Sequence, residues 1–358
     1  MIKQYYKQAL AQLRQHPLIS IIGIVGTALS IFLIMLVVMM QQVKVAPFSP
    51  ESNRNRFLHV HYMSISHKDW GNGTSNGPMS VQTAREVYKS LKTPEAVTVY
   101  CCMTVSTPVS LPGAPAIGAD VRETDDTFFH VFDFQFTDGK PYDEATFTAG
   151  RPVAVITESI SRALFGSIQS VGKEFLLSHA PYRVVGVVKD VSTLADMAYG
   201  QVWIPFTSTN LSNDTWSDNH MGMMSVTLLA HDREDFDEIR AEAKRRMNEY
   251  NSILADQGYT LIDRNRPYDQ ETQSISFAAN LEPDLKAARR ERVIIFIILL
   301  LVPAINLSSM TQSRLRQRVA EIGVRRAFGS TRIEMVGQIV MENLVITLFA
   351  GAIGLLIS

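Results

Sequence analysis

The distribution of apolar residues along the chain limits what it can fold into more than any other feature. Residues 18–40 carry no formal charge, residues 293–310 are almost as apolar, and a third apolar segment lies within residues 332–358. A membrane-spanning helix needs about 20 consecutive apolar residues. The first segment meets this length, whereas the uncharged end of the third, residues 344–358, is slightly short, so we expect a truncated membrane helix there. The sequence therefore predicts a helical membrane protein.

Basic residues predict how these helices are oriented. Lys3, Lys7 and Arg14 precede the first segment, which is longer than the apolar core of about 7–15 residues in a cleaved signal peptide. We therefore expect a retained anchor with its N-terminus in the cytoplasm. Two crossings would return the short, arginine-rich residues 311–331 to that side. A second basic cluster at 286–292 would lie on the far side, but the positive-inside rule applies to short loops and not to a long inserted domain.

The overall composition does not reveal this organisation. A hydrophobic fraction of 46% is ordinary for a soluble protein. This average hides the concentration of apolar residues in three segments. The predicted parts are a cytoplasmic segment (1–17), transmembrane helix 1 (18–43), an α/β domain on the far side of the membrane (44–285), transmembrane helix 2 with its lead-in (286–310), a cytoplasmic helix and elbow (311–331) and transmembrane helix 3 (332–358).

The pattern of the long inserted segment predicts a folded α/β domain. A half-buried strand is predicted in "AVTVYCCMTVS", because apolar side chains recur at every second position. Its inner face would carry Val97, Val99, Cys101, Met103 and Val105. The segment "SVTLLA" predicts another strand, and "GNGTSNGP" at residues 71–78 predicts a loop.

Helix boundaries in this domain follow from capping residues. Ser80 can cap a helix that follows it, and Asp232 can cap the helix within "REDFDEIRAEAKRRMNEY". The segment "PVAVITESISRALFG" predicts a strand and then a helix, with Thr157 as the N-cap and Gly166 in the left-handed conformation that ends a helix. A strand around Gly186 is predicted to follow a hairpin through "SHAPY".

The chain has only two cysteines, Cys101 and Cys102, and they are adjacent. Neighbouring residues rarely form a disulfide, because the ring is strained. Alternation along the strand instead predicts that Cys101 points inward and Cys102 outward.

The sequence contains no recognisable active site. Residues 166–174, "GSIQSVGKE", approach a phosphate-binding loop, but five residues separate the glycines and a glutamate follows the lysine, whereas that motif needs four residues and a Ser or Thr. His59 and His61 alternate on a strand with His67 nearby, but a third or fourth ligand is lacking, so a packing or surface role is favoured. No catalytic residue, metal or cofactor is therefore expected in this chain.

A short polar stretch, "RQRVAEIGVRRAFGST" at residues 316–331, separates the second and third apolar segments. A helix is predicted over residues 314–328. Two rows of side chains would lie next to each other on its surface. The rows are a charged one of Arg318, Glu321 and Arg325 and an apolar one of Ala320, Val324, Ala327 and Phe328.

The end of this helix is expected at Gly329, which can adopt the left-handed conformation. Thr331 and Glu334 match the T-x-x-E capping box, so a new helix would start at once. A helix of this kind can bind anionic lipid headgroups through its arginines. It can equally insert Phe328 with Val324 into a groove on a partner protein.

The residues around this bend resemble a known family. The run "RVAEIGVRRAFGSTRIEMVGQIVMENLVITLFAGAIG" looks like that of the FtsX/MacB-type permeases of ABC transporters, in which the following helix carries a glutamine and a glutamate, here Gln338 and Glu342. "PVAVITESISRALFG", followed by "VGKEFLL" and "YRVVGVVKDVS", is similar to the extracytoplasmic domain of MacB-like proteins. The resemblance is dense over about 306–354 and looser over 44–150 and 205–285.

This resemblance implies a non-catalytic subunit that works with a partner ATPase. In such permeases the bend contacts the nucleotide-binding subunit and the extracytoplasmic domain follows its motion, in dimers that act as mechanotransmitters. ATP and magnesium would be bound by a separate ATPase chain, because the N-terminal ATPase domain of MacB itself has no counterpart in this sequence. The family has four transmembrane helices per unit, whereas this sequence provides three apolar segments.

Two sets of residues are the candidates for these contacts. The expected ATPase-subunit contact consists of Arg318, Glu321, Gly323, Val324, Arg325, Arg326, Phe328 and Gly329. The expected packing positions between membrane helices are Gly23, Gly26, Asn306, Gln338 and Glu342. For Asn306, a hydrogen bond to another helix is favoured over contact with a substrate, because polar side chains buried in a membrane usually face other helices.

Three functions remain open from the sequence. The first is an inner-membrane permease subunit that transmits ATP-driven motion to export or extract a peptide, lipid or toxin, with a periplasmic adaptor or an outer-membrane channel as further partners. The second is an FtsX-like regulator that activates an envelope hydrolase or signal, and the third is a membrane-anchored scaffold without an ATPase. Nucleic acid is not an expected partner, because 34 basic and 35 acidic residues give a net charge of −1.

Overall fold

A computed structural model describes residues 17–357 of the chain. Side chains are described for all of these except residues 17–20, 23, 314, 321 and 342. The chain divides into two compact units, an inserted unit of Lys44–Leu285 and a helical unit formed by the residues on either side of it.

Ten α-helices are present in the described range. They are α1 Pro17–Val45, α2 Val81–Ala84, α3 Phe128–Val131, α4 Glu144–Thr148, α5 Glu158–Phe165, α6 Phe236–Leu254, α7 Gln270–Gln273, α8 Leu285–Gln317, α9 Val319–Ala327 and α10 Arg332–Ile357. Helix α2 continues as a π-helical turn, Arg85–Lys89. Three of the described helices contain an 18-residue stretch that is apolar enough to span a membrane. They are Ile24–Val45 within α1, α8 and α10, and the mean hydropathies of these stretches are 2.4, 2.5 and 2.0.

The helix predicted over residues 314–328 is divided in two by the structure. Residues 314–317 belong to α8, and α9 begins only after Arg318, whose φ of −109° and ψ of 15° interrupt the helix. No glycine or proline lies between residues 304 and 317, so nothing in the sequence ends a helix there and α8 continues past the apolar segment. The prediction of one continuous helix is therefore wrong in its first part.

The inserted unit contains fourteen strands. They are β1 Phe57–Val60, β2 Met63–His67, β3 Thr74–Gly77, β4 Ala96–Cys101, β5 Val105–Ser110, β6 Ile117–Thr124, β7 Phe136–Gly139, β8 Val153–Thr157, β9 Glu174–Leu177, β10 Ala180–Val188, β11 Val202–Pro205, β12 Met224–Leu229, β13 Tyr259–Ile262 and β14 Tyr268–Asp269. With helices α2 to α7 they form the predicted α/β domain. The predicted fold class, a helical membrane protein with a large α/β insertion, is confirmed.

Eleven of these strands form one sheet that closes on itself at one end. The order is β11-β8-β10-β9-β5-β6-β4-β12-β1-β14, with β7 paired to β10. Strand β11 also pairs in parallel with β6, so the six strands from β11 to β6 form a small closed barrel. Their side chains supply a buried apolar cluster, as expected for a barrel too narrow to enclose a channel. The cluster includes Val109, Ala119, Ile156, Phe175, Val184 and Ile204.

A second core lies beside the remaining strands. A three-stranded sheet in the order β13-β2-β3 contributes to it together with α2, α6 and strands β1, β4 and β12. Helix α6 buries one residue every three or four positions, the spacing of an amphipathic helix. These residues are Phe236, Ile239, Ala243, Met247, Tyr250 and Leu254.

Several boundaries predicted from capping residues are confirmed. The side chains of Ser80 and Thr157 each accept a hydrogen bond from the backbone N–H three residues later, at 3.1 and 3.4 Å. Gly166 ends α5 with a φ of 68°, and a capping box forms at Asp232. The predicted hairpin joins β9 to β10, through two residues with positive φ at 178–179.

Two predictions for the inserted unit are wrong in part. Strand β4 ends at Cys101, and Val105 starts β5, which pairs with β6 instead of extending β4. Met103 and Val105 are exposed rather than inward. Cys101 is buried, as predicted, whereas Cys102, predicted to point outward, is half-buried. The loop predicted at 71–78 contains strand β3, because its polar residues pair with β2 through the backbone, a pairing that composition does not reveal.

Candidate functional site

The bend between α8 and α10 contains a short helix with a tightly built end. Gly329 N–H donates to the carbonyl oxygen of Arg326, and Ser330 N–H donates to that of Arg325, both at 3.1 Å. This pair of bonds is the Schellman motif. Gly329 has a φ of 95°, which glycine adopts without the steric cost of a Cβ atom. The predicted end of the helix is confirmed.

The next helix starts immediately after this turn. Thr331 N–H donates to Glu334 Oε2 at 2.9 Å, and Glu334 N–H donates to Thr331 Oγ1 at 3.3 Å. These reciprocal bonds form the predicted capping box. Only residues 328–331 separate α9 from α10, so the chain has little freedom between the two helices.

One face of α9 is exposed and carries apolar side chains. Phe328 is 88% exposed and Val324 is 57% exposed, and the two lie one helical turn apart. Gly323 and Arg326 are exposed as well. We call Gly323, Val324, Arg326 and Phe328 the outer bend surface. A large apolar side chain that protrudes beside a basic residue is typical of a contact with another molecule.

A neighbouring face of α9 is attached to α10. Arg325 Nη1 donates to Oε1 of the buried Gln338 at 3.0 Å. Arg318, Ile322 and Arg325 line a small cavity of about 20 Å³ together with Met335 and other residues of the neighbouring helices. The structure thus separates the two predicted arginines of this face, Arg318 and Arg325, from Phe328. It also brings Arg325 together with Gln338, although the sequence assigns these two residues to different sets.

Three predicted site residues are only partly described. Gly23, Glu321 and Glu342 belong to the backbones of α1, α9 and α10, but their surroundings lie outside the described part of the structure. The roles predicted for them stay predictions.

A glycine and an amide meet where α1 contacts α8. A Cβ atom at Gly26 would lie 2.6 Å from Nδ2 of Asn306. Asn306 Nδ2 also donates to Thr27 Oγ1 at 3.4 Å. Small residues let membrane helices approach closely, and amide side chains form hydrogen bonds between them. The structure therefore brings Gly26 and Asn306 together, two of the residues expected at helix contacts.

Two further helix contacts were missed in the sequence. Asn343 Nδ2 donates to Thr311 Oγ1 at 2.8 Å and joins α10 to α8. A Cβ atom at Gly354 would lie 2.8 Å from the backbone carbonyl oxygen of Ala28, so α1 and α10 are in close contact there. The available signals were an asparagine and closely spaced glycines within an otherwise apolar segment.

In the inserted unit, a buried ion pair fixes the residues that follow α1. Arg54 Nε donates to Glu51 Oε2 at 2.7 Å, and both side chains are almost fully buried. Arg54 also donates to the carbonyl oxygens of Ala46, at 3.1 Å, and Leu194, at 2.9 Å. Glu51 Oε1 accepts from the backbone N–H groups of residues 197 and 198, at 2.9 Å each. We call Glu51, Arg54 and these backbone partners the entry clamp.

The buried charge of Glu51 is partly compensated within the entry clamp. Burial raises the pKa of Glu51, and the adjacent Arg54 guanidinium and the two backbone N–H groups oppose this rise. A buried ion pair of this kind becomes costly when one partner is removed. Gln270 Nε2 adds a hydrogen bond to the carbonyl oxygen of Lys44 at 2.8 Å, so the chain is held on both sides of residue 45.

The histidines considered as metal ligands are engaged in other hydrogen bonds. The His59 ring contacts Thr227 Oγ1 through Nδ1, at 3.1 Å, and Gln270 Oε1 through Nε2, at 2.8 Å. Burial lowers the pKa of His59 to about 4, so this ring is neutral at pH 7. His61 contacts Ser225. Among the side chains that the structure describes, no group of three His, Cys, Asp or Glu residues could hold a metal ion.

Two family models match the chain. The model of the MacB-like periplasmic core domain matches residues 18–246, which is more than half of the chain. The model of the FtsX-like permease C-terminal domain matches residues 293–358. The first match covers the beginning and most of the inserted unit, and the second covers the bend, whereas residues 247–292 lie in neither match.

Curated relatives are similar to the chain at low identity. An uncharacterized ABC transporter permease, YknZ of Bacillus subtilis, is 22% identical over 244 residues, which are 66% of this chain and 55% of the relative. The macrolide export ATP-binding/permease protein MacB of Burkholderia cenocepacia is 23% identical over 244 residues, which are 68% of this chain and 33% of the relative. The chain thus spans about half the length of the first and a third of the second.

Solved structures are similar to the chain as well. The crystal structure of the periplasmic region of MacB from Actinobacillus actinomycetemcomitans covers 57% of this chain and 88% of its own, at 19% identity and a TM-score of 0.39. The extracellular domain of the ABC-type transporter YknZ from Gram-positive bacteria covers 56% and 99%, at 14% identity and a TM-score of 0.40.

Proposed function

The chain belongs to the MacB/FtsX-type permeases of ABC transporters, and from this premise we propose that it transmits the motion of a separate ATPase across the membrane to its inserted domain. ATP and magnesium are bound by the ATPase, and this chain contributes no catalytic residue. The transmitted motion drives the export or extraction of a substrate such as a peptide, a lipid or a toxin. The N-terminus and the bend lie in the cytoplasm, and the inserted unit lies in the periplasm.

The observation that carries this proposal is the exposure of Phe328 on the outer bend surface. A phenylalanine that is 88% exposed contributes little to the stability of its own chain, whereas its full burial in a partner would stabilise a complex by roughly 1.5–3 kcal/mol. The helix that presents it is held from behind by Arg325 and Gln338. The outer bend surface is thus a rigid apolar projection of the kind that fits a groove on a partner protein.

Binding to lipid headgroups is less well supported as the main role of the bend. The sequence suggested a face with several arginines, but Arg318 and Arg325 line the cavity between α9 and α10. Arg326 remains as the arginine of the outer bend surface. Each such charge contributes about 1 kcal/mol at an anionic membrane surface, and Arg316 and Arg332 are exposed near the bend, so lipid binding can accompany the apolar contact.

Hydrogen bonds between helices provide a path for the motion. A displacement of the bend moves α10 directly, because Arg325 holds Gln338. Asn343 and Thr311 link α10 to α8, and Asn306 links α8 to α1. Helix α1 ends at Val45, next to the entry clamp, so a movement of its last turn acts on buried residues of the inserted unit. A dimer of such chains, with a periplasmic adaptor or an outer-membrane channel, would complete the complex.

The proposal is tested by purifying the protein with a candidate ATPase in lipid nanodiscs and measuring ATP hydrolysis. We expect the rate to depend on the permease and to return to the rate of the free ATPase in a Phe328→Asp variant. If hydrolysis is the same with and without the permease, the chain is a membrane-anchored scaffold and the proposal is wrong. A third outcome is that ATP hydrolysis depends on the permease, but export and resistance do not. If an envelope hydrolase then depends on the protein, the chain is a regulator of the FtsX type.

A further inference from the structure

Two of the three tryptophans of the chain lie at the surface of the inserted unit. Trp70 lines a shallow groove, and Trp216 is bonded to Ser75, another residue of its lining. Trp70 is 40% exposed and Trp216 is 37% exposed, whereas Trp203 is fully buried. The groove has a volume of about 360 Å³. Its lining residues are Trp70, Gly73, Thr74, Ser75 and Ser217. Exposed indoles concentrated at one place usually mark a binding surface, because they present a large apolar area with a polar N–H group.

Trp216 is held beside the groove by its own side chain and by an unusual turn. Its Nε1 donates to Ser75 Oγ at 3.1 Å. The next three residues, at 217–219, have φ values of 51°, 51° and 66°, a left-handed conformation that is unfavourable for residues other than glycine. Backbone hydrogen bonds in both directions between Trp216 and Met221 close this turn. Unfavourable backbone conformations of this kind are concentrated at functional sites.

Trp70, which lines the groove, is fixed by aromatic packing. Its ring lies 5.6 Å from that of His67 and 5.8 Å from that of Tyr259, measured between centroids. Gly73 allows the chain to turn back on itself, since a Cβ atom there would lie 3.0 Å from the Trp70 carbonyl oxygen. Both indoles are therefore held in place before any ligand binds, which reduces the entropy lost on binding.

The lining of the groove indicates the chemical class of its ligand. The five lining residues, all in the described part of the chain, include no ionisable and no aliphatic side chain. A phosphate or carboxylate ligand would require cationic donors, and the centre of a protein interface is enriched in apolar residues and arginine. Indole faces and the hydroxyl groups of Ser75 and Ser217 instead complement a neutral molecule that has both apolar C–H surfaces and many hydroxyl groups.

We propose that this tryptophan groove binds a neutral glycan of the cell envelope. One sugar ring packs its C–H face against an indole, and its hydroxyl groups exchange hydrogen bonds with Ser75 and Ser217. The glycan would hold the inserted unit near the envelope polymer while the bend is moved by the ATPase. The inference rests on the proposed location of the inserted unit outside the cytoplasm.

The proposal is tested with the full chain in nanodiscs, because detergents with sugar headgroups would compete for the groove. The probe is chitotetraose, a neutral tetramer of N-acetylglucosamine, and binding is followed by isothermal titration calorimetry. We expect saturable binding that weakens at least about tenfold in Trp70→Ala and in Trp216→Ala. Trp70→Phe should retain part of the affinity. Phe277→Ala removes another exposed aromatic residue of the same unit and should bind like the unaltered chain.

The tryptophan variants should unfold at the same temperature as the unaltered chain. A loss of binding in these variants is then not caused by a loss of folding. The proposal is overturned if chitotetraose does not bind, or if it binds equally well to the Trp70→Ala and Trp216→Ala variants. It is also overturned if these variants lose a protein partner in a pull-down while the unaltered chain binds no sugar, since the groove is then a protein interface. The assay contains no ATPase, so a negative result leaves the proposed coupling at the bend untouched.

Discussion

Replacing Phe328 with alanine separates the role of the bend in folding from its role in binding. The ring is 88% exposed, so its removal should change the free energy of unfolding of the chain by less than about 0.5 kcal/mol, as at other surface positions. If the ring is buried in a groove of the ATPase, its loss should cost the complex roughly 1.5–3 kcal/mol. The dissociation constant should then rise about 10- to 100-fold.

The assay is surface plasmon resonance between the ATPase and the permease in immobilised nanodiscs. Phe277→Ala is the matched control, because this phenylalanine is 84% exposed but lies in the inserted unit. We expect the control to bind the ATPase normally. Equal affinities of both variants and the unaltered chain would refute the assignment of Phe328 to the ATPase contact. A lower unfolding temperature of Phe328→Ala alone would show that the ring stabilises its own chain.

Three further predictions concern backbone conformation, helix contact and pH. Gly329→Val should weaken ATPase binding in the same assay, because a β-branched residue at a φ of 95° costs about 1–2 kcal/mol. Gly354→Ala should lower the unfolding temperature, because its Cβ would lie 2.8 Å from a backbone carbonyl oxygen. Gly351→Ala is the control and should leave the unfolding temperature unchanged, because the nearest atom to its Cβ would be a side-chain methyl at 3.6 Å. Burial raises the pKa of Glu123 to about 7. Between about pH 4.5 and 7 the folded chain therefore keeps a proton that the unfolded chain has lost, so the free energy of unfolding should fall as pH rises through this range. Glu123→Gln should remove this fall and raise the free energy of unfolding by about 1–3 kcal/mol at pH 8.

Each of these three predictions can be contradicted by one result. Normal ATPase binding by Gly329→Val would mean that the turn does not position the bend. Equal unfolding temperatures of Gly354→Ala and Gly351→Ala would mean that α1 and α10 are not in close contact. Unfolding of the inserted unit can be followed by tryptophan fluorescence, since all three tryptophans lie in it. An unchanged pH profile in Glu123→Gln would exclude this carboxyl group as the source of the pH dependence.

The parts of the bend that could be predicted from the sequence are those set by local chemistry. A glycine after an arginine-rich run and a T-x-x-E sequence determine the bonds at Gly329 and at Thr331, because both motifs involve residues within five positions of each other. The same holds for the helix caps at Ser80 and Thr157. These features depend on no other part of the chain, so a single sequence was sufficient.

The parts that could not be predicted depend on which elements pack together. Helical periodicity places the row of Arg325 beside the row of Phe328 on α9, but it does not show which of the two rows α10 covers. The hydrogen bond from Arg325 to Gln338 appears only once the two helices are paired. Strand β3 was missed for a similar reason, since its polar residues become a strand by pairing with β2. Long-range contacts of this kind override local preference.

The most direct test of transmission is hydrogen–deuterium exchange of the permease–ATPase complex with and without trapped ATP. We predict that trapping changes the hydrogen exchange of residues 46–54 and 194–198, which contain the entry clamp, because motion at the bend reaches the last turn of α1. The change should be absent in Phe328→Asp. Identical exchange of these residues in both nucleotide states, in a complex that contains bound ATPase, would contradict the proposal that this chain carries motion across the membrane.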